Sequence, residues 1–250
     1  MHDQKILIID YGSQYTQLIA RHIRENKTYC EVIQPESINK KNNFDCVIGV
    51  ILSGGPNSVI ENNNYDLPDI LFKNDIPILG ICFGMQLLCK KFNGKIQESI
   101  SREYGKAYLK IKKDEKIFND LDKELEVWMS HGDSVTEAPV NFSIIASTDK
   151  KNISAIKSNE KEIYGFQFHP EVTHTLDNGK IIYNFVKNIC NSTGRWTTKN
   201  IINNQIADIK EKVKNDNVIL GLSGGVDSSV AAAIIHKAIK NQLTCIFIDN

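Results

Sequence analysis

The chain has 250 residues, 41% hydrophobic and 24% charged, which suits one large α/β domain or one domain with part of another. Thirty basic side chains balance thirty acidic ones, so the sequence offers no electrostatic footprint for nucleic acid or an anionic membrane. The first apolar run is about five residues, too short for a signal-peptide core, and no window approaches the roughly 20 apolar residues of a membrane span. The six cysteines form no CxxC pair, so the expectation is a cytoplasmic protein with free thiols.

In chain order, residues 5–10 (KILIID) form a continuous apolar run, as a strand buried on both faces requires. Residues 14–25 carry Tyr15, Leu18, Ile19 and Ile23 at helical spacing. Further strands are predicted at 29–33 (YCEVI), 46–52 (CVIGVIL) and 76–81 (IPILGI), and this alternation of strand and helix specifies βαβ units with a mostly parallel sheet. Segments 103–111, 125–129, 142–147, 153–157 and 162–168 are short and separated by turn residues, which predicts added antiparallel strands. Residues 178–189 return to helix, with Ile181, Ile182, Phe185, Val186 and Ile189 on one face. The polar joint 191–197 (NSTGRWT) marks a boundary between domains 1–194 and 195–250. Beyond it come an amphipathic helix through Ile201, Ile202, Ile206, Ile209 and Val213, then a buried strand at 217–222. A second helix at 229–240 has Val230, Ile234, Ala238 and Ile239 inward, and a last strand follows at 243–249.

Two places carry chemistry in the first domain. Gly80-Ile81-Cys82-Phe83-Gly84 ends a buried strand and runs straight into a helix, the layout of a nucleophile elbow with cysteine in place of serine. The flanking glycines leave room for a strained turn, and the helix N-terminus favours the thiolate. An arbitrary cysteine is more often a buried structural thiol, the role expected of Cys46, Cys89 and Cys245. Farther on, Phe168-His169-Pro170-Glu171 closes a strand. Residues two apart on extended backbone point the same way, so Glu171 can hold the imidazole of His169 while its other nitrogen addresses a thiol. Alone, His-Pro-Glu reads as a surface turn. Together with the elbow it completes a nucleophile, base and orienter set.

On these residues the chain resembles the class I, triad-type glutamine amidotransferases. The resemblance implies a flavodoxin-like α/β fold with Cys82, His169 and Glu171 as the catalytic triad. It also implies an oxyanion hole from the backbone N–H groups of Gly55, in Ser53-Gly54-Gly55-Pro56, and Phe83. Gln86, Ser130, His131 and Asp133, the last three within Ser130-His131-Gly132-Asp133-Ser134, resemble the positions that hold the glutamine substrate. The implied reaction is acyl transfer from the glutamine side-chain amide through a thioester, releasing ammonia.

The second domain opens on Ser223-Gly224-Gly225-Val226-Asp227-Ser228-Ser229, a small-residue loop between strand and helix of the kind that cradles phosphates. It lacks the Walker pattern and G-x-G-x-x-G. It resembles the pyrophosphate-binding loop of the N-type ATP pyrophosphatases, which implies ATP binding with Mg²⁺; no protein metal ligand is assigned. A triad glutaminase followed directly by this loop, with GICFGMQ, MSHGDSV and QFHPEVTHT, is similar to the glutamine-hydrolysing GMP synthases. That likeness implies amination of xanthosine 5′-phosphate (XMP) with ATP, and a homodimer at full length. Other amidotransferase glutaminases share the triad without the loop, and NAD and asparagine synthetases share the loop without this glutaminase. A chain that binds glutamine without turnover is the non-catalytic alternative. With only 56 residues after Gly194, the expectation is a monomeric fragment lacking most of the synthetase half. Its glutaminase domain folds, while its ATP segment is partly disordered or aggregation-prone.

Overall fold

The computed structural model describes residues 4–38, 44–61, 65–148 and 152–247. Two compact units divide the chain, one running from His2 to Gly194 and the other from Arg195 to Asn250.

The first unit is built on a nine-stranded sheet, the largest among the described residues. Four short apolar strands lie side by side and parallel: β2 (Tyr29–Ile33), β1 (Lys5–Ile9), β3 (Val47–Leu52) and β4 (Ile78–Ile81). A fifth parallel strand, β9 (Ile163–Phe166), pairs with β4, so a late segment is inserted beside an early one. Beyond β9 the sheet turns antiparallel through β8 (Ile153–Ser158), β7 (Phe142–Thr148), β5 (Lys95–Ile111) and β6 (Glu124–Glu137). The continuous apolar runs have a plain physical purpose here, because both faces of the parallel half are covered. Ile6 and Ile8 of β1 join one core cluster, together with Ile19 and Ile23 of α1 (Thr16–Glu25). Leu7 and Ile9 point the other way, into a second cluster with Leu87 and Leu88 of α3 (Phe83–Lys91). Each such fully buried aliphatic side chain stabilises the fold by about 1.5–3 kcal/mol. A short helix, α2 (Ile70–Lys73), precedes β4. The predicted helix at 178–189 appears as α4 (Lys180–Asn184) extended by one wider turn, Phe185–Ile189, with all five of its expected inward residues buried.

The β5–β6 hairpin is much longer than the predicted segments 103–111 and 125–129. Residues Leu125, Val127, Met129, His131, Asp133 and Val135 alternate inward along β6. Two polar residues at core-facing positions break the apolar alternation, and the strand period cannot be read through them.

The second unit contains α5 (Thr198–Val213), β10 (Val218–Leu222), α6 (Val226–Ile239) and β11 (Leu243–Phe247). Among the described residues its two strands pair only with each other, in parallel. The inward positions expected here are not all covered. Ala238 and Ile239 are buried, but Val230 and Ile219 are exposed, as are Ile246 and Phe247. The cause is geometric: α5 and α6 pack together and α6 touches both strands, but the two-stranded sheet is too narrow to be covered, and Ile246 and Phe247, on opposite faces of β11, are both exposed. The same geometry corrects the expectation for Cys245, which is exposed. Cys46 is exposed as well, in a turn at φ 63° ahead of β3, whereas Cys89 is buried as expected. All six thiols are free. Residues 248–249 of the predicted last strand lie outside the described residues.

Candidate active site

The parallel strands set up the site because their C-terminal ends, where loops follow β1, β3, β4 and β9, open onto one crevice. Cys82 occupies the junction between β4 and α3 at φ 52°, ψ −103°, a backbone conformation that L-residues avoid. The packing explains both flanking glycines. A Cβ on Gly84 would lie 2.4 Å from the Leu52 carbonyl oxygen, and one on Gly80 would lie 2.6 Å from the backbone of Gly84. The turn is tied back to the sheet by Cys82 N–H donating to the Phe166 carbonyl at 2.6 Å.

His169 lies three residues beyond the end of β9 rather than on the strand itself. Its N–H donates to Trp128 O on β6 at 3.0 Å, and the Thr175 hydroxyl donates to its carbonyl at 2.6 Å. The edge of Tyr15 closes on its ring, with centroids 5.2 Å apart. Glu171 is 1% exposed, and its Oε1 is 2.8 Å from His169 Nδ1. Burial works against the imidazolium, but the Glu171 carboxylate and the neighbouring Cys82 outweigh it, holding His169 well above its ordinary value. The structure therefore brings Cys82, His169 and Glu171 to one place, with His169 hydrogen-bonded to Glu171.

A cavity of about 530 Å³ opens beside them. Cys82 and His169 line it, as do Gly55 and Phe83. Gly55 tolerates no side chain, since a Cβ would lie 2.8 Å from Tyr11 O. All four residues matched to glutamine-holding positions line the same cavity: Gln86 from α3, and Ser130, His131 and Asp133 from β6. Gln86 Nε2 donates to Asp133 O at 2.9 Å, and His131 Nδ1 lies 3.0 Å from that carbonyl. Ser130 O accepts from the Cys82 thiol at 3.6 Å. Sequence reasoning missed several neighbours. Gln167 Nε2 reaches Cys82 Sγ at 3.8 Å, Ser58 Oγ donates to Asp133 Oδ2 at 2.6 Å, and Glu103 stands 3.4 Å from His131. A charged residue in the inward phase of a strand was the available signal for Glu103.

In the second unit, exposed residues 223–225 join β10 to α6, and 226–229 form the first turn of that helix. Gly224 adopts φ 77°, and the hydroxyls of Ser228 and Ser229 both donate to Gly225 O, at 3.0 and 2.9 Å. Asp227 lies in the first turn of the 14-residue α6. Among the described residues no cluster of three or more His, Cys, Asp or Glu side chains could hold a metal, and no helix is long and apolar enough to cross a membrane.

Comparison with known proteins agrees with this geometry. Residues 7–189 match the family model "Glutamine amidotransferase class-I", and residues 198–249 match that of "NAD synthase". Curated relatives include proteins named GMP synthase [glutamine-hydrolyzing] from Vibrio atlanticus and Vibrio vulnificus. They are 49% and 48% identical over the whole of this chain, which spans 48% of each. Among solved structures, a Thermoplasma acidophilum protein proposed to be one component of a GMP synthase superposes at a TM-score of 0.66 and 29% identity, covering 76% of this chain and 96% of that one. A glutamine amidotransferase from Thermotoga maritima shares the fold at a TM-score of 0.60 and 18% identity, over 96% of this chain and 100% of that one. With the family model spanning most of its length, the chain belongs to the class I glutamine amidotransferase family.

Proposed function

We propose that this chain hydrolyses L-glutamine at Cys82 and that its ammonia serves an ATP-dependent amination. The observation that carries the reading is the His169 ring, hydrogen-bonded to the buried Glu171 carboxylate and set with Cys82 at the wall of the same cavity. Gln86, Ser130, His131 and Asp133 orient the substrate. The Cys82 thiolate attacks the carboxamide carbon, forming a C–S bond, and the carbonyl electron pair moves to oxygen. The backbone N–H groups of Gly55 and Phe83 receive that oxyanion. Protonated His169 then passes its proton to the departing nitrogen, the C–N bond breaks, and ammonia leaves a γ-glutamyl thioester. Water, deprotonated by His169, attacks the thioester and releases glutamate, restoring the thiolate. Glu171 fixes the tautomer and compensates the imidazolium throughout.

The relatives' printed name extends the proposal. In a protein of their length the ammonia aminates XMP to GMP, with ATP converted to AMP and diphosphate, in the cytoplasm. Ser223, Gly224, Gly225, Val226, Asp227, Ser228 and Ser229 suit a nucleotide phosphate, combining small residues, hydroxyls and the N-terminus of α6. The oxygen donors Asp227, Ser228 and Ser229 suit Mg²⁺, which supplies charge neutralisation on the phosphates when bound. The glutaminase reading is tested by ammonia and glutamate release: Cys82→Ala abolishes both, and unchanged release sinks the proposal. The nucleotide reading is tested in a protein of the relatives' length, where AMP is expected as the ATP product and ADP contradicts it.

A further inference from the structure

The β5–β6 hairpin buries an ion pair whose acidic member, Glu103, has no part in the reaction above. Glu103 on β5 stands directly across the ladder from His131 on β6, and their side chains are 7% and 1% exposed. His131 Nδ1 lies 3.0 Å from Asp133 O, a carbonyl that can only accept. Its Nε2 faces Glu103 Oε2 at 3.4 Å, and both of those buried atoms lack a hydrogen-bond partner. Glu103 Oε1 is occupied by Asn152 Nδ2, which donates at 2.7 Å. Both ring nitrogens therefore face oxygen acceptors. The arrangement is satisfied only when the pair holds one proton more than a neutral imidazole and a carboxylate carry together.

The charged and titratable groups around His131 are Glu103 on β5, Asp133 on β6 and His169 beyond β9, with Cys82 bonded to the adjacent Ser130 carbonyl. Burial lowers the His131 imidazole from its ordinary value, against the pull of the Glu103 carboxylate. A histidine so placed does not secure the second ring proton unaided. The same Asp133 carbonyl also receives Gln86 Nε2. A continuous line thus runs from Asn152 through Glu103, His131 and Asp133 O to Gln86 on α3, the helix that Cys82 begins. We propose that Glu103 is a positioning residue of the glutamine pocket, sharing one proton with His131 so that the Ser130–Asp133 wall is held against α3. Loss of that proton breaks one of the two His131 contacts and loosens the wall that grips glutamine, while the Cys82–His169–Glu171 triad stays intact.

The inference rests on the glutaminase reading, and inactivation of the chain by 6-diazo-5-oxo-L-norleucine, a glutamine analogue with an electrophilic diazoketone, tests both separately. The inactivation constant KI reads the pocket, and the limiting rate kinact reads the nucleophile and His169. Across about pH 5 to about pH 10, wild-type KI is expected to rise with pH as the shared proton leaves. In Glu103→Gln the introduced carboxamide donates to His131 Nε2 and accepts from Asn152 at every pH, so that rise disappears. The analogue's own amino group titrates alike in both proteins and cancels. In Glu103→Leu, KI is expected to increase about tenfold at all pH values, because buried donors lose their partner, with kinact changed less than about twofold. A Glu103→Gln curve that parallels wild type, or a Glu103→Leu KI within about twofold of it, overturns the proposal. Failure of wild type to label at Cys82 overturns the glutaminase reading and this inference with it.

Discussion

Replacing Cys82 by alanine and by glycine separates the thiol from the backbone strain in which it sits. Both variants lose the sulfur, and only alanine keeps a Cβ at φ 52°, ψ −103°. A non-glycine residue in such a region costs about 1–3 kcal/mol. At an unstrained position alanine is the more stabilising of the two by about 0.4–1 kcal/mol, through the unfolded chain. The difference leaves glycine ahead by about 1 kcal/mol, with an upper bound of about 2.5 kcal/mol. The turn has little freedom to relax, since the Cys82 amide is bonded to Phe166 O and Gly84 packs on the Leu52 backbone. Urea unfolding monitored by Trp128, in a Trp196→Phe background so that the signal belongs to the first unit, measures the difference. At a slope of about 2 kcal/mol per molar urea, the Cys82→Gly midpoint should lie roughly 0.5 M above that of Cys82→Ala. An alanine variant as stable as the glycine variant, or more so, refutes the strained elbow.

Other outcomes follow from the same contacts. His169 is held above its ordinary value, so the imidazolium needed to protonate ammonia persists below that raised value and is lost as pH rises through it. The alkaline limb of kcat/KM should therefore lie well above about pH 6.5. Glu171→Gln should move that limb down and lower kcat/KM on the order of a thousandfold, and an unmoved limb contradicts the assignment. The stability contributed by the His169–Glu171 pair has the same sign, full at low pH and lost on the alkaline side. Gly84→Ala should destabilise by about 2–3 kcal/mol, because its Cβ would meet backbone rather than a movable side chain; a urea-derived change below about 0.5 kcal/mol contradicts this. Thr175→Val removes the hydroxyl that donates to His169 O and accepts from Trp128 N. It should cost about 2 kcal/mol and reduce glutamine turnover, while Thr175→Ser retains both contacts and most of the activity.

The parallel half of the sheet was legible because strands buried on both faces leave unbroken apolar runs, as KILIID and CVIGVIL do. The elbow was legible for a related reason: glycines at 80 and 84 are demanded by backbone contacts, and contact demands of that kind stand out in sequence. The insertion of β9 beside β4 was not legible, since pairing between distant segments leaves no local pattern. The full length of the β5–β6 hairpin was hidden by the site itself, where His131 and Asp133 take positions that the strand's period reserves for apolar residues. Glu103 offered only its charge in the inward phase of a strand, and its role becomes recognisable once its partner across the ladder is known. In the second unit, apolar periodicity located α6 and β10, but of the expected inward residues of α6 only Ala238 and Ile239 are buried, and no residue of β10 is. Whether a face is covered depends on neighbouring layers, and the two-stranded sheet of that unit is too narrow to be covered.

The central claim is that Cys82 carries the acyl group of glutamine. Incubating the chain with glutamine, quenching in acid within the first turnover and mapping the peptides by mass measures it directly. A γ-glutamyl adduct is expected on the peptide containing Cys82 and absent in Cys82→Ser. Glutamine hydrolysis without that adduct, or with the adduct on another of the six cysteines, contradicts the account.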